Sequence, residues 1–442
     1  MHLLFEGAKL TRSQIYQHFG NNSSIFDDFL RFGMLRDNDT ESGVINFVGV
    51  GVSNQHIIKF APKILQQKSL PTDTQFRILI RTLKKYGKTL ANTHPDAQLL
   101  RPNITESHVS QLAQANWLIA DYLSKGLYRA RPNTQIKQGS PTIDWVKTIS
   151  RTNLTISNGR PVYLNPIGRT NQTNNTHIVT RLHRYVIEKC FATYAPLLGF
   201  NNQTLDHEVV TPLRKPPDAV LIERVLKQEL YRVFSDREVQ LLKILRSWFQ
   251  EEQLNSSQDF KPYGVKNFWS VWEAVCKLIY HDEVVSWKPY IPAPLWSSLS
   301  GGSQHATGKW IPDVIMTARN KSGVSSLFIL DAKYYDLRLP PHLAAEPGVG
   351  DITKQLFYNQ VLKPAANKLG YKEIVNCLIF PSCDKEFIRV SGYVNIDGVS
   401  GGPILLIHMN AFEAFERYLL SSSLTNNERE TLRVECLAAQ AI

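Results

Sequence analysis

The stretch WIPDVIMTARNKSGVSSLFILDAKYYD, residues 310–336, decides the fold of the C-terminal part of the chain. DVIMTAR and SLFILDAKYY read as strands, and NKSG between them suits a hairpin turn. Alternation along the second strand puts Leu327, Ile329, Asp331 and Lys333 on one face. Phe328, Leu330, Ala332 and Tyr334 take the other. Two carboxylates thus interrupt segments otherwise fit for burial: Asp313, directly after Pro312, and Asp331. If the hairpin pairs in a suitable register, Asp313 returns beside Asp331, and two carboxylates and an ammonium converge where the sheet meets solvent. Left bare, such a pair is costly, and one member is driven to protonate. A hard divalent ion with open water positions, Mg²⁺, removes that cost. It also polarises a phosphoryl oxygen and makes hydroxide available near neutral pH. Lys333 would then hold or deprotonate the attacking water and offset charge in the transition state.

Upstream, VKNFWSVWEAVCKLIY places Phe268, Trp272, Val275 and Ile279 on one helix face, with Glu273 beside it. A Pro/Ser/Gly-rich linker fills 289–308. Downstream, DITKQLFYNQVL is helical, with Asp351 as candidate N-cap and Pro364 ending or restarting the helix. The strands EIVNCLIF, FIRVSGYVN and PILLIHMN follow. Helix, hairpin, crossover helix and strands predict a mixed central sheet flanked by helices.

The first 70 residues are β-rich, with two apolar runs in GVINFVGVGVSNQHIIKFAPKIL. Helices follow from Thr72 or Asp73 to Gly87 and up to Gly126. Residues 127–180 read as irregular, and 177–253 as helical with a break at TPLRKPPD. The expected fold class is therefore α/β, α+β overall. The expected regions are 1–135 (β/α, contacting a partner or DNA), 136–258 (irregular, then helical) and 259–442 (the catalytic domain).

Lys and Arg outnumber Asp and Glu by 50 to 39, for a net charge of +11, a balance that suits nucleic acid. The five cysteines are scattered and read as reduced core thiols of a cytoplasmic protein. No stretch is apolar enough to span a bilayer, and the start lacks the pattern of a signal peptide.

Pro-Asp, a spacer, then Asp-Ala-Lys at a strand end resembles the PD-(D/E)XK nuclease superfamily. The spelling IPD…LFILDAKYY…DITKQLFYNQ is similar to the McrC-type nuclease subunits of modification-dependent restriction systems, and most of all to the LlaJI restriction endonuclease family. Residues 263–362 carry most of the resemblance, with weaker echoes in 47–63 and 139–149. The resemblance implies a DNA endonuclease dependent on Mg²⁺, with Mn²⁺ as substitute. Asp313 and Asp331 would be metal ligands, Lys333 the catalytic lysine and Glu273 the acid of the preceding helix. Gln355 would line the site, with Tyr358 further along the helix. It further implies an AAA+ GTPase partner resembling McrB, which the N-terminal part would dock, and no membrane. A double-strand cut needs two sites, hence an expected homodimer through the nuclease domains. Lys84, Lys85, Tyr86, Tyr128, Arg129 and Arg131 would contact phosphates or form a solvated surface. Two alternatives stand beside this: a stand-alone restriction endonuclease, and an inactive DNA-binding or scaffold protein.

Three other patterns are set aside. GVSGG at 398–402 fits G-x-S-x-G, but Pro403 opens a strand where a nucleophile elbow needs a helix. GSQHATGKW misses P-loop spacing, with Trp310 replacing Ser/Thr. His177, His183, Cys190 and His207 lack zinc-ligand spacing.

Overall fold

The computed structural model describes residues 2–19, 24–36, 39, 41–53, 56–66, 72–91, 94, 96–100, 111–129, 135–138, 142–143, 145–170, 177–195, 198, 200, 210, 213–254, 260–299, 305–306, 308, 310–320, 323–399 and 401–441. Residues 1–101, 197–199 and 257–442 form one compact unit; 102–196 with 200–256 form a second. Position 135 therefore lies inside the second unit, and 258 lies where the chain has just rejoined the first.

The first unit contains two main sheets. In the N-terminal one, His2–Phe5 runs parallel to His56–Ala61, which pairs antiparallel with Val48–Ser53. Val48–Ser53 also pairs antiparallel with Lys261–Val265, more than 200 residues on, so a strand from the middle of the chain completes the N-terminal sheet. The strands approach closely because two facing residues lack side chains. A Cβ on Gly49 would lie 2.2 Å from the Tyr263 carbonyl oxygen, and one on Gly264 would lie 2.2 Å from that of Val48. Phe29, Phe47, Phe60 and Phe260 fill the core beneath, Phe47 and Phe60 meeting edge-on at 5.1 Å. The helix Asp73–Thr89 opens as expected, on a capping box between Thr72 and Gln75. It does not end at Gly87. That glycine is interior, where a Cβ would meet Leu100 at 3.0 Å, so it marks helix packing rather than a C-cap.

The second sheet has five strands in the order Val314–Arg319, Ser325–Ala332, Tyr371–Ser382, Ile404–Asn410, Ile388–Val394. The first pair is the hairpin read from the sequence, antiparallel, with Asn320 and Gly323 (φ +83°) in its turn. Ser325–Ala332 and Tyr371–Ser382 are parallel, so a crossover must join them. The helix Val349–Lys368 makes it, packing Tyr358, Leu362 and Ala366 on Leu327 and Ile329. Asp351 is not its N-cap: Gly348 is, and Asp351 sits in the first turn. Pro364 lies within the helix and neither ends nor restarts it. The outer edge of Val314–Arg319 is covered by side chain and backbone of Asp282 and Glu283, which bond Ile315 and Thr317. On the sheet's other face the helix Phe268–Ile279 buries Phe268, Trp272, Val275 and Ile279, as its periodicity predicts. The C-terminal helix Asn426–Gln440 is fastened by buried Arg433, whose guanidinium donates to Ser326 Oγ at 2.7 Å and to both Glu373 oxygens at 2.8 Å.

In the second unit the helices Gln111–Lys125, Ile178–Thr193, Ala219–Leu230 and Asp236–Leu254 follow the predicted periodicity. Gly126 takes φ +73° directly after the first of them. The segment expected to be irregular contains small sheets. One is the hairpin Leu154–Ser157 with Arg160–Tyr163, closed by Asn158 and Gly159 at φ 49° and 73°. Asn-Gly is a strong hairpin signal, but the exposed strands have no buried face to show alternation. Among the described residues no helix is long and apolar enough to cross a membrane.

Candidate active site

The hairpin register decides the site. Val314 faces Leu330 and Ile315 faces Ile329, so continuing the ladder by one residue sets Asp313 opposite Asp331. Asp313 Oδ2 accepts the backbone N–H of Ala332 at 3.0 Å. The register that the sequence left open is thus the one that brings the two carboxylates together. Burial pushes Asp313 up to about 7, aided by the negative charges of Asp331 and Glu273. Glu273, from the helix on the far face, is therefore an electrostatic neighbour of Asp313, and its own ion-pair partner is Lys277.

Asp331 is almost wholly buried, and each of its oxygens meets an ammonium. Lys333 Nζ lies 2.5 Å from Oδ2, and Lys354 Nζ lies 3.3 Å from Oδ1. Lys333 has a second partner, Asp351, at 2.8 Å. Burial disfavours its charged form, but Asp331 and Asp351 more than reverse this and hold it above the ordinary lysine range. Asp351 also faces the Tyr335 hydroxyl at 3.4 Å.

Gln355 and Tyr358 are fixed by hydrogen bonds of their own. Buried Gln355 donates from Nε2 to the Ile329 carbonyl at 2.9 Å, Asn376 Oδ1 at 2.7 Å and the Cys377 carbonyl at 3.0 Å. It binds the crossover helix to the sheet beneath the carboxylates, and its Oε1 has no partner among the described residues. The Tyr358 hydroxyl donates to the Ile311 carbonyl at 2.9 Å, steadying the lead-in to Asp313. Asp351 and Lys354 were the residues the sequence reading missed. The signal was there: 351, 354 and 358 follow helical three- and four-residue spacing, on the face that meets Asp331.

Asp313 and Asp331 offer hard oxygen donors at a buried site, the donor type that fits Mg²⁺ or Mn²⁺. Among the described residues no three His, Cys, Asp or Glu side chains converge on a common point. A two-carboxylate site completed by water and substrate is a usual Mg²⁺ arrangement.

Other expectations resolve differently. Lys84 donates to the Leu198 carbonyl at 3.3 Å and is lowered to about 7 by burial and by Lys88 and Arg81. Lys85 donates to Ser421 Oγ at 2.6 Å, and Tyr86 is buried. Buried Tyr128 donates its hydroxyl to Glu229 at 2.7 Å. Each of these four makes a hydrogen bond or is buried within the fold. Arg131, His207 and Ser400 lie outside the described residues. Buried His183 accepts the Tyr128 backbone N–H at 3.0 Å, as a core histidine does. All five cysteines are free, and Cys383 alone among them is only partly buried. A cavity of about 410 Å³ near Arg319, Tyr371 and Arg429 opens at the turn end of the hairpin, and no predicted site residue lines it.

A mixed sheet with two acidic residues and a lysine at the end of a hairpin defines a class of α+β proteins with a nuclease-like fold. Residues 47–412 match the LlaJI restriction endonuclease family, and the chain belongs to that family. It is 26% identical over 431 residues to the type II restriction enzyme BsuMI component YdjA of Bacillus subtilis strain 168, covering 96% of this chain and 90% of that protein. Among solved structures it overlaps a half-complex from the tetradecameric assembly of Thermococcus gammatolerans McrB AAA+ hexamers with bound McrC. The identity there is 12%, the coverage 95% of this chain and 99% of that chain, and the TM-score 0.41. A cryo-EM structure of the McrBC complex from the same organism overlaps with 13% identity, covering 59% and 83%, at a TM-score of 0.29. Both scores are too low to establish a shared fold.

Proposed function

We propose that this chain is a Mg²⁺-dependent DNA endonuclease of the PD-(D/E)XK type, the cutting subunit of a restriction system. The observation that carries the reading is the Asp313–Ala332 hydrogen bond, which seats Asp313 against the strand bearing Asp331 and Lys333. Family membership supports the activity class.

In this reading Asp313 and Asp331 would hold a divalent ion, which when bound would supply Lewis-acid polarisation of the scissile phosphate and a lower pKa for water. Lys333 orients the attacking water and balances charge as the phosphate becomes pentacoordinate. Asp351 fixes the Lys333 ammonium in place. Glu273 adds negative charge beside Asp313. Gln355 and Tyr358 keep the helix and the lead-in strand from shifting, since a misplacement of 1 Å is costly to such chemistry.

We further propose that a partner docks on the second unit, at residues 145–163, rather than on the region 1–135 expected from the sequence. Its helix Trp145–Arg151 and hairpin 154–163 expose Val146, Ile149 and Ile156 at 61–78%, and Trp145 reaches Tyr163 edge-on at 6.4 Å. A patch of this kind suits protein contact. The occupant this reading names is an AAA+ GTPase resembling McrB, in keeping with the sequence resemblance to McrC-type subunits. Homodimerisation through the nuclease domains belongs to the same reading.

Plasmid cleavage with Mg²⁺ tests it, wild type beside Asp331→Asn, each with and without the AAA+ partner and GTP. Cutting that is lost in Asp331→Asn supports the site, and dependence on partner and GTP supports the subunit assignment. Equal cutting by the variant would remove the site assignment.

A further inference from the structure

We propose that Lys354 is a further catalytic residue of this site, holding Oδ1 of Asp331 until a divalent ion displaces it and then binding the scissile phosphate. The inference rests on the metal-dependent reading above and adds a residue with two successive partners.

Three features separate Lys354 from Lys333. Lys333 is clamped between Asp331 and Asp351 at 2.5 and 2.8 Å, with a side chain only 12% exposed. Lys354 has the one Asp331 contact as its ion pair among the described residues, at 3.3 Å, and its side chain is 39% exposed. It stands on the crossover helix with its ammonium 5.5 Å from the Tyr358 ring centre and hydrogen-bonded to the Tyr358 side chain, a neutral partner in place of the second carboxylate that holds Lys333. Of the two ammonium groups on Asp331, Lys354 is the one able to leave.

Charge makes it leave. A divalent cation using Oδ1 of Asp331 cannot share that oxygen with an ammonium, because the two positive charges would stand within contact distance in a partly buried site. Lys354, released at the exposed side of the site, would then be placed to bind a phosphate oxygen of the substrate. Lysine suits that task as a compact, mobile point charge. In the metal-free protein this ammonium and that of Lys333 together offset Asp331, which explains how so buried a carboxylate is tolerated beside Asp313.

The test uses the full chain and two readouts: Mn²⁺ binding without DNA, followed by electron paramagnetic resonance, and Mg²⁺-dependent plasmid cleavage under the conditions in which wild type cuts. Lys354→Met is expected to bind Mn²⁺ roughly tenfold tighter, since no ammonium competes for Asp331. Its cleavage should fall by about 10²-fold, the effect of losing one transition-state donor. Lys354→Arg, which keeps the charge, should recover most of the cleavage and return Mn²⁺ affinity toward wild type. Unchanged or weaker Mn²⁺ binding by a folded Lys354→Met, or cleavage equal to wild type, overturns the proposal. Asp331→Asn separates the two levels. If it binds Mn²⁺ and cuts like wild type, the metal-site reading itself fails. If it is inert while Lys354→Met behaves as wild type, only the role of Lys354 fails.

Discussion

Oδ2 of Asp313 accepts the backbone N–H of Ala332 at 3.0 Å, so one hairpin strand presents its carboxylate directly to the end of the other strand that bears Asp331 and Lys333. That bond favours the ionised form, yet burial and the charges of Asp331 and Glu273 outweigh it and push Asp313 up to about 7.

A pH dependence follows. The folded-state pKa lies above the ordinary value of 3.8, so the stabilisation from protonated Asp313 is complete below about pH 4 and is lost as pH rises through about 7. Thermal melts of the metal-free protein should fall in midpoint from about pH 4 to about pH 7 and level off above that. Asp313→Asn, which can still accept from Ala332, should flatten that slope. Addition of Mg²⁺ at pH 8 should raise the wild-type midpoint and leave the variant's unchanged.

Asp331→Asn should lower cleavage by at least about 10³-fold, because it removes both an ion ligand and the anchor of Lys333. Circular dichroism should show the secondary structure retained. Cleavage within tenfold of wild type would contradict the assignment.

Arg433→Ala should destabilise the first unit by about 3 kcal/mol, since it strands Glu373 and Ser326 without their buried partner. Urea unfolding reports this directly, and a loss under about 0.5 kcal/mol, typical of surface substitutions, would show that the clamp matters little.

Gly264→Ala should prevent the Lys261–Val265 strand from docking. The new methyl would stand 2.2 Å from the Val48 carbonyl and 2.5 Å from the Phe47 ring, and a backbone oxygen in a sheet cannot retreat. The expected outcome is insoluble protein, or a stability loss of about 3 kcal/mol if the strand peels away.

Ile156→Ser and Val146→Ser should leave the melting temperature within error, since both side chains are already in water. If the second unit docks a partner, the same changes should weaken partner-dependent cleavage by about tenfold or more, the loss of a buried apolar anchor. Pull-down and cleavage with the partner would check both halves.

The hairpin, the helix Phe268–Ile279, the crossover helix and Asp313, Asp331 and Lys333 were all legible in the residues. Each is a local pattern: alternation, helical periodicity, or a charge set where burial forbids it without a partner. Helix limits at Gly87 and Pro364 were misread because a glycine needed for packing against Leu100 spells like a C-cap, and an interior proline spells like a stop.

What the sequence determined by itself, then, was which strands form the hairpin and which charged residues stand on them. Only the tertiary structure decided the company they keep. The one-residue register that sets Asp313 against Asp331 depends on strand pairing, and Asp351 and Lys354 meet Lys333 and Asp331 only after the crossover helix packs on the sheet. Local propensity has no knowledge of either, because both are contacts between segments that become neighbours only when the core closes. The pairing of Lys261–Val265 with Val48–Ser53 makes the same point at longer range: apolar runs announce strands, but the choice of partner belongs to the whole fold.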